Sequence, residues 1–154
     1  MVATAGDPTA GNVEDRSFKF LGIYLDEYLT FDNHFSILTK KLTSANFIIN
    51  RVKNLLPLTS LKTLYYSLFH CHLLYGLPIY SCSSAKNISH ITKLQKKAIR
   101  NISKSSYLKH TKPIFDELDI LPFPKLITFS KNCLTHSIYH RYSPNSLHGV
   151  WQTV

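Results

Sequence analysis

The sequence predicts a mainly α-helical fold, in which one N-terminal β-strand or hairpin precedes a bundle of four or five helices. Apolar residues recur at helical spacing over most of the chain, whereas one short segment alternates and is rich in aromatic and β-branched residues. Hydrophobic residues make up 44% of the 154 residues, which is enough for one domain with a buried core.

Composition also predicts how the chain is divided. Residues 1–16 are mostly small and polar and include glycine and proline, which predicts a disordered leader. Residues 17–142 are the predicted folded domain, and residues 143–154 are the predicted tail. No Gly/Ser-rich linker divides the folded domain into two.

The strand is predicted over residues 18–25, where Phe18-Lys-Phe-Leu-Gly-Ile-Tyr-Leu alternates. Gly22 within it indicates a bulge or a close approach of another part of the backbone. The first helix is predicted to begin with Asp32 as its N-cap and to be stopped by Pro57. A second helix is predicted after Thr59 and is bent or ended near Gly76.

The third helix has the clearest pattern, with Asn87 as its predicted N-cap. Six apolar residues share one side of this helix: Ile88, Ile91, Leu94, Ala98, Ile99 and Ile102. Five cations share the opposite side: Lys93, Lys96, Lys97, Arg100 and Lys104. Two further helices are predicted over residues 113–118, where proline suits a first turn, and over residues 125–139.

Positive charge is concentrated in the middle of the chain. The net charge is +9, and no acidic residue lies between Asp32 and Asp116. A field of one sign attracts polyanions, and nucleic acid is the first candidate. An acidic protein partner, or a basic protein without an acidic partner, is the alternative.

The cationic side of the third helix is the predicted nucleic-acid-binding site. Its five cations would bind phosphates as point charges without reading base sequence, and no acid is interleaved to neutralise them. Tyr107 is the predicted exposed aromatic contact for a base. A solvated outer face with no ligand is the alternative.

Metal binding and acid–base chemistry find little support. Cys133, His136 and His140 share one helical side and are the candidate zinc ligands, but no fourth ligand lies near them. No pair of aspartates follows a strand, so the sequence predicts no catalytic residue and no cofactor. Three cysteines without a CxxC pair indicate reduced, intracellular thiols, and no apolar run predicts a signal peptide or a membrane span.

Four segments, in order, resemble the region after the catalytic palm of non-LTR (LINE-type, jockey-like) retrotransposon reverse transcriptases. The segment from Phe18 to Asp26 resembles the F/Y-L-G-x-x-x-D strand of the primer grip. The segment from Leu64, LYYSLFHCHLLYGLPIY, resembles a thumb helix with the pattern LY-x-SL…L-x-YG…W. Leu94-Gln-Lys-Lys-Ala-Ile-Arg-Asn-Ile resembles LQK-x-A-x-R-x-I, and Pro113-Ile-Phe-Asp-Glu-Leu-Asp-Ile-Leu resembles P-x-F-x-x-L-x-I-L. Two positions depart from the family pattern: Cys71 stands where the family usually has Pro or Ser, and Tyr80 stands where it usually has Trp.

The resemblance implies a thumb-like bundle that tracks template–primer nucleic acid. It also implies that Phe20, Leu21, Gly22 and Ile23 correspond to the primer grip. The palm, the fingers and the aspartates that hold Mg²⁺ in the family have no counterpart, so a fragment without polymerase activity is expected. Its expected partners are nucleic acid and the missing palm and fingers portion, with no membrane. One alternative is a domesticated helical module that binds an acidic protein, and a second is a complete polymerase of which this sequence is only a part. A nuclear or cytoplasmic location is what the family suggests.

Overall fold

The computed structural model describes residues 17–140, so the predicted leader (1–16) and tail (143–154) lie outside the described residues. A two-stranded antiparallel hairpin is followed by about five substantial helices, which confirms the predicted mainly α fold. In chain order the elements are β1 (Phe18–Phe20), β2 (Ile23–Leu25), α1 (Asp32–Val52), α2 (Leu58–Tyr65), a π-helical segment (Tyr66–His70), α3 (Cys71–Leu74), α4 (Leu77–Tyr80), α5 (Ala85–Ile102), α6 (Lys112–Leu118) and α7 (Phe123–Tyr139).

Helix α5 lies at the centre of the bundle and contacts α1, α2, α6 and α7. Its inner side is fully buried at Ile91, Ala98, Ile99 and Ile102, as the apolar pattern predicts. Burial of one apolar stripe against several neighbours supplies most of the stability of such a helix. The opposite side of α5 is therefore turned outward.

Helix α2, the π-helical segment and α3 follow one another without a break. The backbone N–H of Cys71 donates to the carbonyl oxygen of Tyr66, an i to i+5 hydrogen bond that adds one residue to the turn. Tyr65, Phe69 and Leu73 are nevertheless all fully buried. Gly76, with φ of 70°, then redirects the chain into α4.

Helix α1 does not begin as the sequence predicts. Asp32 is its first residue and not its N-cap, because Phe31 precedes it in a left-handed conformation with φ of 61°. The carboxylate of Asp26 organises this approach by accepting hydrogen bonds from the backbone N–H groups of Thr30 (2.8 Å) and Phe31 (2.7 Å). Desolvation acts to raise the pKa of Asp26, but these hydrogen bonds outweigh it and lower the pKa.

Helix α5 also begins earlier than predicted. The Ser84 hydroxyl, and not Asn87, caps it by accepting from the backbone N–H of Asn87 (3.3 Å). The side chain of Asn87 instead donates to Oδ1 of Asp32 (2.7 Å) and to the Ser83 hydroxyl (3.0 Å). These bonds join the first turns of α1 and α5.

Helix α7 is buried only near its start, at Phe123, Leu126 and Ile127. Phe129 and Cys133 sit at helical spacing with Leu126, yet both are exposed. The second half of α7 therefore extends beyond the packed body in the described part of the chain.

Candidate nucleic-acid interface

The outer side of α5 presents a row of exposed ammonium groups. Lys93, Lys96 and Lys97 are all exposed, and within residues 17–140 none of them is joined to an acidic side chain. The row is outward because the inner side of the same helix is occupied by the core. Cations without a paired carboxylate remain available to phosphates.

Arg100 lies at the end of this row and is half-buried. Its guanidinium carbon lies 5.3 Å from the centre of the Tyr107 ring, and its Nε donates to the carbonyl oxygen of Lys109 (3.3 Å). These contacts order the loop after α5 and hold Tyr107 with 80% of its surface exposed. An exposed ring beside cations is the arrangement that base stacking requires.

Lys104 lies apart from the row. Its predicted place on the same helical side is wrong, because α5 ends at Ile102. Lys104 follows with φ of 53°, and its Nζ donates to the carbonyl oxygen of Leu56 (3.4 Å). It extends the positive surface toward the loop after α1 and not along α5.

Two further basic residues of α5 continue the row toward its N-terminus. Lys86 and His90 border a cleft of about 650 Å³ between α1 and α5, and Lys40 borders it from α1. The positions 86, 90, 93 and 97 follow helical spacing, so the sequence contained the signal that identifies them. From residue 86 to residue 97 the line is about 17 Å long at ~1.5 Å per residue.

The predicted primer-grip-like residues form the tight turn of the hairpin. Phe20 pairs with Ile23, and Leu21 and Gly22 form the turn with φ of 46° and 81°. Positive φ at both central positions is typical of a type I′ turn, which suits the twist of a hairpin. Phe20 and Leu21 are 59% and 73% exposed, whereas Ile23 is buried.

Tyr75 and Gly76, which we call the latch, hold the hairpin against the helices. The Tyr75 hydroxyl donates to the carbonyl oxygen of Leu21, and its ring lies against Gly22. A Cβ atom on Gly76 would lie 2.4 Å from Cδ1 of Ile23, so only glycine leaves room for this contact. Two segments that are distant in sequence thus meet at the latch.

Two curated proteins resemble the chain. It is 30% identical over 115 residues, 72% of its length, to the RNA-directed DNA polymerase from mobile element jockey of Drosophila melanogaster. It is 27% identical over 107 residues, 67% of its length, to the protein of that name from Drosophila funebris. The chain is related to the jockey-like non-LTR retrotransposon reverse transcriptases. It spans 12% of the length of each of these relatives. No protein-family model matches the sequence, and no solved structure matches the chain.

The LQK segment of this jockey-related chain has a structural role that the sequence pattern does not reveal. Gln95 is completely buried, and its Nε2 donates to the Tyr65 hydroxyl (2.9 Å) and to the carbonyl oxygen of Leu121 (2.9 Å). Its Oε1 accepts from the backbone N–H of Phe123 (2.7 Å). One amide thus joins α2, α5 and the start of α7. Burial, only partly offset by the Gln95 hydrogen bond, raises the pKa of Tyr65, which keeps the phenol neutral.

Of the candidate zinc ligands, Cys133 and His136 lie on the exposed half of α7 and His140 directly follows this helix. The ring centroids of His136 and His140 are 4.2 Å apart. Over residues 17–140, no three His, Cys, Asp or Glu side chains are placed together to hold a metal ion. No helix of this described range is long and apolar enough to cross a membrane.

Proposed function

We propose that this jockey-related chain is a primer-grip and thumb segment of a retrotransposon reverse transcriptase that binds template–primer nucleic acid without sequence specificity. The single observation that carries this proposal is the outward row of unpaired cations on α5. The exposed Tyr107, held beside Arg100, adds a surface for one base.

The geometry favours contact with the phosphate backbone. Lysine ammonium groups on a helix bind phosphate oxygens as point charges and carry no information about the bases. A line of about 17 Å corresponds to about five base pairs at ~3.4 Å per base pair. Three to five phosphate contacts per segment are therefore expected.

We propose that the segment carries no polymerase chemistry of its own. Two of the carboxylates near the hairpin have structural roles: Asp26 binds the backbone before α1, and Asp32 accepts a hydrogen bond from Asn87. Two-metal phosphoryl transfer requires carboxylates that are free to hold ions. We therefore propose that the palm and fingers of a polymerase are its partner, and that Phe18 and Phe20 on β1, whose outer edge pairs with no other strand among residues 17–140, face that partner.

The test is a salt titration with duplex DNA and with an RNA–DNA heteroduplex. Changing Lys93, Lys96 and Lys97 together to Gln should weaken binding and flatten the slope of log K against log salt by about 2.7, at ~0.9 per lost phosphate contact on B-DNA. All three side chains are exposed, so the fold should be retained. An unchanged slope would contradict the assignment.

A matched pair of variants separates the site from overall charge. Lys93→Gln with Lys97→Gln removes two charges from α5, and Lys125→Gln with Lys131→Gln removes two from exposed positions of α7. The α5 pair should lower affinity more than the α7 pair does. Equal losses would indicate an unlocalised charge effect, and binding of polyglutamate as tight as that of nucleic acid would favour the acidic protein partner.

A further inference from the structure

A second positively charged feature lies on the other side of α1, below the turn of the hairpin. It is a cavity of about 270 Å³ between the hairpin, α1 and α3. Its lining residues are Lys19, Leu21, Gly22, His34, Ile37, Leu38, Lys41, His72 and Tyr75. It has room for several water molecules. None of its walls belongs to α5, so it is separate from the proposed nucleic-acid interface.

The charged and titratable groups of this lining are two lysines, two histidines and one tyrosine. The tyrosine is Tyr75, whose hydroxyl already donates to the carbonyl oxygen of Leu21. Among residues 17–140, no aspartate or glutamate lines the cavity. Lys19 contributes from β1 and Lys41 from α1, so positive charge converges from two elements without a compensating carboxylate.

His34 forms the most deeply buried polar part of the lining. It is only 7% exposed, and its ring lies 5.0 Å from that of Tyr80. Neither Nδ1 nor Nε2 of His34 has a hydrogen-bond partner in the described part of the chain. Buried polar atoms are normally paired, so two unpaired nitrogens beside a cationic cavity indicate a missing polar partner.

We propose that this cavity binds a phosphate group, with Lys41 and His72 as its principal contacts and Lys19 and His34 as supporting contacts. A phosphate supplies several acceptor oxygens and the negative charge that the lining lacks. Burial, and to a smaller extent the charge of Lys41, lowers the pKa of both His34 and His72. A bound anion offsets that charge and favours the protonated imidazoles. The site goes beyond the proposed function, because it uses no residue of α5.

The experiment titrates the full chain with inorganic phosphate at fixed ionic strength, balanced with chloride, and follows the imidazole resonances by NMR. We expect saturable shifts at His34 and His72, and little change at His110, which is exposed on the loop after α5. Lys41→Gln should weaken phosphate binding about tenfold, the effect of losing one charge-assisted hydrogen bond. Lys41 is exposed, so its replacement should leave the fold intact.

Lys40→Gln is the matched control, because it removes the same charge from the adjacent residue, whose side chain lines the cleft toward α5 and not this cavity. It should bind inorganic phosphate as the unaltered protein does. Equal weakening by both variants, or shifts at His34 and His72 that do not saturate, would overturn the site. His72→Gln provides a second variant and should also weaken binding.

The source of the phosphate is distinguished with a short single strand carrying either a 5′-phosphate or a 5′-hydroxyl. Both are added to the variant in which Lys93, Lys96 and Lys97 are Gln, so that the α5 row does not contribute. A response to the 5′-phosphate alone identifies a terminal phosphate, and equal responses identify a backbone phosphodiester. A response to neither would overturn nucleic acid as the source. The two proposals can fail separately. If substituting the α5 row leaves nucleic-acid binding unchanged while the phosphate response is retained, the nucleic-acid interface is contradicted and the phosphate site is not.

Discussion

The bundle around α5 and the hairpin before α1 are held in place in different ways. In the bundle, Gln95 is buried with three hydrogen bonds to three separate parts of the chain, and the surrounding side chains are fully enclosed. The hairpin has two strands of three residues, exposes Phe18 and Phe20, and meets the helices through β2 against α1 and at the latch. A two-stranded hairpin is marginally stable alone. The bundle is therefore stabilised by its own internal contacts, whereas the stability of the hairpin depends on its contacts with the bundle.

Gln95→Ala should produce the largest loss of stability, because it removes hydrogen bonds inside the bundle. The change leaves the backbone N–H of Phe123 and the carbonyl of Leu121 without their partner and opens a cavity. We expect a loss of about 3–5 kcal/mol in the free energy of unfolding. Urea denaturation followed by circular dichroism measures it.

Tyr65→Phe is the control for this prediction, since it removes only the hydroxyl that accepts from Gln95. It should cost about 1 kcal/mol. A Gln95→Ala variant as stable as the Tyr65→Phe variant would show that the amide is not central to the bundle.

Gly76→Ala should have a smaller and more local effect on the hairpin. Its Cβ would lie 2.4 Å from Cδ1 of Ile23, at a backbone φ of 70° that disfavours alanine. We expect a loss of about 2 kcal/mol, with faster amide exchange in β1 and β2 than in α5. Hydrogen exchange measured by NMR resolves the two regions.

A second substitution sharpens this result. Ile23→Val removes the δ-methyl group that approaches position 76, so the double variant should recover part of the hairpin protection. No recovery would mean that backbone strain at residue 76, and not the close contact, dominates. Faster exchange in α5 equal to that in the hairpin would contradict the separation of the two regions.

Lowering the pH should produce the smallest of the three losses of stability. It acts through His34, which lies where the hairpin and the helices meet. Burial, and then the charge of Lys41, lowers the pKa of His34 below its ordinary value of 6.5. The unfolded chain therefore binds the proton more readily, and stability falls as the pH drops below about 6.5. His70 and His72 add to this trend, because burial lowers their pKa as well.

The variant His34→Phe should lose less thermal stability than the unaltered chain between about pH 7 and pH 5. His110→Gln, at an exposed position, should show the full loss. Melting temperatures recorded by calorimetry across this range provide the measurement. Identical pH profiles for both variants would contradict the role of His34.

Helical periodicity predicted the bundle, because one buried stripe per helix is a strong signal in sequence. Alternation also predicted extended backbone over residues 18–25, but it did not locate the turn at Leu21 and Gly22 that divides this segment into two strands. The starts of the helices were not predictable. Asp32 and Asn87 have side chains that suit an N-cap, but the hydrogen bonds to the backbone before α1 and at the start of α5 are accepted by Asp26 and Ser84. Such choices depend on contacts across the fold, which spacing does not contain.

The cationic row was predictable because every member lies on one helix, whereas the phosphate cavity was not. Lys19, Lys41 and His72 come from three elements, and only the folded hairpin brings them together. Gln95 was missed for a different reason: it is a polar residue within a helix, and such residues are expected outside the core. The acceptors and donors that satisfy it lie 26 to 30 residues away.

The extra residue in the π-helical segment Tyr66–His70 determines where the next turn of the chain points. Deleting one residue there would restore α-helical hydrogen bonding and rotate everything downstream by about 100° about the helix axis. Tyr75 would then face away from Leu21, and Gly76 would no longer lie beside Ile23. The widened turn therefore sets the rotation that brings Tyr75 and Gly76 into contact with the hairpin.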